Sequence, residues 1–93
     1  MEPGEVTTPQ PPEPNREQLI DALVSHGAKK DKATLYADAF LEYREASKNI
    51  EENGTIVLHP RTANPVENPY LKIRDRALKK IQSIRGVKAD FLW

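Results

Sequence analysis

Four cations lie close together in the last third of the chain: Lys72, Arg76, Lys79 and Lys80. On a helix advancing 100° per residue they share one arc. Positive charge at that spacing suits neutralisation of phosphates, with binding that weakens steeply as salt rises. Lys29, Lys30 and Lys32 form a second basic cluster. Both clusters are candidates for contact with nucleic acid, and neither carries a pattern that reads base edges. The bland alternative for each lysine is a solvated charged surface.

Other chemistry is scarce. The chain has no cysteine, hence no disulfide frame and no thiolate metal centre. His26 and His59 stand too far apart in sequence to suggest a metal site or a catalytic pair. No glycine-rich loop ending in lysine occurs to cradle nucleotide phosphates. Asp38, Glu42, Glu45, Glu51 and Glu52 have the spacing of a soluble helix surface rather than of a paired-metal site. An enzyme is not expected, and neither is a cofactor or a metal.

The elements that must position these residues belong to one small domain. Ninety-three residues is near the size at which a monomeric core becomes marginal and oligomerisation helps. The formal charge is zero but uneven. Residues 1–27 carry five acids and one base, and residues 68–93 carry seven bases and two acids. Such a balance argues against a chromatin-like protein and permits a local basic surface. There is no secretory signal and no apolar run long enough to span a bilayer, so a soluble intracellular protein with no membrane partner is expected.

Residues 1–14 are rich in proline and acids and read as a flexible tail. Residues 15–93 read as a single, mainly α-helical assembly domain. Asn15, with Gln18 three positions on, forms a capping-box start for a short helix with Leu19, Ile20, Leu23 and Val24 on one face and Gly27 as its stop. A longer central helix runs to Asn53, with Asp31 as its cap and Gly54 as its end. Its packed face holds Ala33, Tyr36, Ala37, Phe40, Tyr43, Ser47 and Ile50, widened by Leu35, Ala39 and Ala46. Helix, turn and helix at this point could also form a DNA-binding helix-turn-helix. Residues 55–67 read as a short β-hairpin lying against the helices, with Ile56 or Val57 opposite Val66. Asn68 and Pro69 open a basic C-terminal helix whose apolar stripe is Tyr70, Ile73, Ala77, Ile81 and Ile84, and which stops near Gly86. Phe91, Leu92 and Trp93 make an apolar ending that either folds back on the core or anchors a partner.

The run IEENGTIVLHPRTANPVENPYLKIRDRALKKI resembles the P27-type small terminase subunit of tailed bacteriophages. The resemblance covers roughly residues 31–85, and its most specific feature is NGTIV followed by NPYL at this separation. It departs from many relatives after Gly86, where they continue with a Gly-Leu-X-Pro-like segment and an arginine. The resemblance implies a non-enzymatic DNA-packaging protein in the cytoplasm of an infected bacterial host. Such a protein forms a homo-oligomer, often a ring, binds double-stranded viral DNA and regulates a separate large terminase subunit. Transferred here, the Tyr36–Ile50 and Tyr70–Ile84 stretches supply helical core and subunit contacts. The interface candidates are Tyr36, Phe40, Tyr43, Ile50, Tyr70, Ile73, Ile81 and Ile84, with Phe91, Leu92 and Trp93 as oligomer or partner anchors. The rival expectations are a helical protein-interaction adaptor and a small helix-turn-helix transcriptional regulator.

Overall fold

The computed structural model describes residues 14–93. The tail assigned to residues 1–14 therefore lies outside the described residues, except for Pro14. The elements follow in the order α1 (Arg16–Ser25), α2 (Lys30–Asn53), β1 (Ile56–Leu58), β2 (Pro65–Glu67) and α3 (Tyr70–Ser83), with a 3-10 turn at Asp90–Leu92. This is the expected mainly helical architecture, with a long central helix, a short antiparallel hairpin and a basic C-terminal helix.

The capping box at the start of α1 is present. Gln18 N–H donates to Asn15 Oδ1 at 2.9 Å, and Asn15 N–H donates to Gln18 Oε1 at 3.0 Å. Two of the amides that a helix start leaves unsatisfied are thereby paired. Leu19, Ile20 and Leu23 are buried, whereas Val24 is exposed. Gly27 takes φ +100°, a value that favours glycine, and the chain turns there into α2.

Asp31 does not cap α2. The cap residue is Lys29, extended and without a side-chain bond. Ala28 is buried under the α1–α2 turn, and the helix is already under way at Lys30. Asp31 is therefore helical, whereas a cap residue must be non-helical. Its carboxylate still sits in the first turn, where negative charge complements the helix dipole. The far end is as expected: Gly54 N–H donates to Ile50 C=O at 2.7 Å, and Gly54 adopts φ +84°, ψ 178°.

Helices α1 and α3 both run antiparallel to α2. Arg16, at the start of α1, reaches Asp38. Along α3, Asn68 meets Asn49, Lys80 approaches Glu42, and Gly86 comes beside the Lys32 side chain. The core forms where the three helices meet, around Leu19, Leu23, Ala33, Tyr36, Phe40 and Ile81. Ala33 and Ala37 are fully buried on α2, and their small side chains allow neighbouring backbones to approach closely. Leu35 does not widen this face. It is 60% exposed, because α1 and α3 pack on the arc of Ala33, Tyr36, Ala37 and Phe40 and leave its side of α2 bare. Among the described residues no helix is long and apolar enough to cross a membrane.

The hairpin pairs Ile56 with Glu67, Val57 with Val66 and Leu58 with Pro65. The expected cover of helices over it is slight. Val57 and Val66 are half-buried, but Ile56 and Leu58 on the other face are bare. The hairpin is held at its base instead, by Asn68.

Candidate functional site

Asn68 is 1% exposed and is the buried polar residue among those described. Its Nδ2 donates to Asn49 Oδ1 at 3.0 Å and to Gly54 C=O at 2.9 Å, and its Oδ1 accepts the Tyr70 N–H at 3.0 Å. Its backbone N–H closes the hairpin on Thr55 C=O at 2.8 Å. One side chain therefore ties the end of α2, the base of the hairpin and the start of α3 together. The residue order suggested only the capping half of this role. The donor half needs Asn49, nineteen residues earlier, to be brought alongside.

Fixing the start and pitch of α3 decides which way its side chains point. Ala77 and Ile81 are buried against α2. Lys72, Arg76, Lys79 and Lys80 are consequently all exposed. Lys80 Nζ lies 3.7 Å from Glu42 Oε1, so part of its charge is already matched. Lys72, Arg76 and Lys79 have no hydrogen bond or ion pair among the described residues. These three are the free cations of the face.

The second basic cluster sits elsewhere. Lys29 and Lys30 are exposed at the α1–α2 turn, and Lys32 is half-buried beside Gly86. Gly86 lies beyond the C-terminal end of α3, so Lys32 comes near the Lys79 and Lys80 end of the first cluster, whereas Lys72 stands at the opposite end of the helix.

The exposed side of α2 carries the opposite charge. Asp31, Asp38, Glu45 and Glu52 recur every seventh residue and are all exposed. A seven-residue step drifts only about 20° around a helix, so they form one stripe. Asp38 holds Arg16 at 2.6 Å, a bond that raises the guanidinium above its ordinary pKa, with the carboxylate charge acting in the same direction. As a recognition helix, α2 would present this acidic stripe to DNA phosphates. Such an approach is unfavourable.

The aromatic ending folds back. Trp93 Nε1 donates to the Tyr36 hydroxyl at 2.9 Å. Its ring stands edge-on to Phe40 and Tyr43, each with centroids 5.1 Å away. Phe91 stacks on His26 at 4.1 Å. Of the expected interface residues, Tyr36, Phe40, Ile50 and Ile81 are buried within the chain itself. Tyr43, Tyr70, Ile73, Ile84 and Leu92 are half-buried, and Phe91 and Trp93 keep about half of their surface exposed. Neither histidine meets the other: His26 Nδ1 lies 2.8 Å from Ala22 C=O, and His59 Nδ1 accepts the Arg61 N–H at 3.1 Å. Among the described residues no cluster of His, Asp or Glu could hold a metal ion.

A family model described as phage terminase, small subunit, matches residues 17–86, from the first turn of α1 to the glycine beyond α3. No curated protein and no solved structure matches the chain.

Proposed function

The chain belongs to the phage terminase small-subunit family, and from that premise we propose that it assembles into a homo-oligomer that binds double-stranded viral DNA. In this reading it is of the P27 type and acts in the cytoplasm of the infected bacterium. It regulates a separate large subunit, which carries out the bond chemistry of packaging. The observation that carries the DNA-binding part is the exposed, unmatched trio Lys72, Arg76 and Lys79 on α3. Three cations on one rigid helical face can follow a phosphate backbone without reading its sequence. Lys80, tied to Glu42, and the cluster of Lys29, Lys30 and Lys32 at the turn are secondary contacts.

Assembly draws support from apolar side chains that the fold leaves uncovered, Leu35, Ile56 and Leu58 among them. An adaptor that docks through Phe91, Leu92 and Trp93 is less favoured, because Trp93 already spends its N–H on Tyr36.

The test is native mass against concentration, followed by DNA binding of the same assembly across a salt series. Replacing Lys72, Arg76 and Lys79 together by Gln is expected to weaken binding and to flatten the salt slope by roughly 0.9 per lost contact. Unchanged affinity and slope in an assembled variant would reject this residue assignment. Stimulation of packaging by the cognate large subunit separates this role from that of a transcriptional regulator.

A further inference from the structure

The two edges of the hairpin are not equivalent. Asn68 N–H bonds Thr55 C=O, and His59 N–H bonds Asn64 C=O. With Val57 opposite Val66 between them, alternation along an antiparallel ladder makes Val57 and Val66 the pair that exchanges hydrogen bonds. The N–H and C=O groups of Ile56 and Leu58 therefore point away from β2, and those of Pro65 and Glu67 point away from β1. On β2 this outer edge is blocked. Pro65 has no N–H, and Glu67 adds a charge, two devices that keep a sheet edge from recruiting another strand. On β1 the outer edge is open. Ile56 and Leu58 have no backbone partner among the described residues, and their side chains are 59% and 65% exposed. No charge or proline guards them. A two-stranded hairpin is marginal by itself and gains most from a third strand.

We propose that β1 pairs antiparallel with β1 of a second copy of this chain, giving a four-stranded sheet in the order β2–β1–β1–β2. The occupant follows from the edge itself. Ile56 and Leu58 stand symmetrically about Val57, so an antiparallel copy sets Ile56 opposite the other copy's Leu58, with both outward hydrogen-bond pairs formed. Val57 meets Val57 of the second copy at the two-fold axis. The exposed Ile56 and Leu58 side chains of both copies then make one contiguous apolar cluster on one face of the sheet. Head-to-tail addition, β1 onto β2 of the next copy, meets Pro65 and loses a donor. The contact is therefore two-fold and joins subunits in pairs, whereas a ring needs a different, heterologous interface. This inference rests on the assembly reading and adds the surface and symmetry of one of its contacts.

The absence of cysteine from the chain makes the test direct. Val57→Cys places two thiols opposite each other in a non-hydrogen-bonded pair, at a separation compatible with a disulfide. Mild oxidation of the full chain is expected to link copies about tenfold faster at Val57→Cys than at Thr62→Cys on the hairpin tip. Adding Leu58→Lys, an exposed change outside the core, is expected to slow that linkage by about the same factor. Equal rates at the two cysteine positions, or linkage indifferent to Leu58→Lys, overturn the pairing. Native mass of the cysteine-free parent and of its Leu58→Lys variant separates this inference from the assembly reading. An oligomeric parent left unchanged by Leu58→Lys overturns the pairing and keeps assembly. A monomeric parent overturns both.

Discussion

Replacing Asn68 by Ala removes three side-chain hydrogen bonds at a site that is 1% exposed. The lost cap on Tyr70 N–H costs about 1 kcal/mol. Each bond from Nδ2, to Asn49 Oδ1 and to Gly54 C=O, contributes about 0.5–1.5 kcal/mol. The sum is about 2–4 kcal/mol, equivalent to a fall of roughly 10–20 °C in Tm for a domain of this size. Asn68→Asp isolates the donor half. It keeps an excellent cap for α3, yet turns a carboxylate oxygen towards two acceptor oxygens in a buried site, so it is expected to be no more stable than Asn68→Ala. Chemical and thermal unfolding at fixed protein concentration measure both variants. Amide exchange supplies the local readout, since the hairpin amides and the first turn of α3 should lose protection before the α1–α2 core does. An Asn68→Ala variant within about 0.5 kcal/mol of the parent, the range of an ordinary surface change, would falsify this account of Asn68. So would an Asn68→Asp variant clearly more stable than Asn68→Ala.

Two further outcomes follow from local geometry. Trp93→Phe removes the bond to Tyr36 but keeps an aromatic ring near Phe40 and Tyr43; it should cost about 1 kcal/mol, with Trp93→Ala costing more, and equal losses in urea unfolding would show that packing contributes nothing. Gly54→Ala meets no close atom, its nearest neighbour being Ile56 C=O at 3.9 Å. It nevertheless forces a side chain onto φ +84°, ψ 178°, and should destabilise by about 1–3 kcal/mol; a neutral result in the same assay would refute backbone strain as the reason for glycine there.

Periodicity and punctuation determined much of this protein before any tertiary contact was known. Asn15 with Gln18, Gly27, Gly54 and Asn68-Pro69 mark helix boundaries through bonds and dihedral angles that span a few residues, so they are legible from neighbours alone. The i, i+3, i+4 rhythm likewise identifies Ala77 and Ile81 as the inner side of α3 and Lys72, Arg76 and Lys79 as outer. The spacing of NGTIV and NPYL pointed to the small-terminase family.

What the sequence could not determine depends on groups far apart in the chain. Leu35 has the composition of a core residue and is bare, because burial depends on where α1 and α3 land on α2. Asp31 looks like a cap and is not one, because burial of Ala28 sets the start of the helix. Lys80 and Lys79 are alike in sequence, yet only Lys80 has Glu42 within reach. Whether Trp93 faces solvent or Tyr36 is a choice between two environments with the same local preferences. Only the antiparallel packing of α3 on α2 settles it, by carrying the C-terminal residues back to the first half of the central helix.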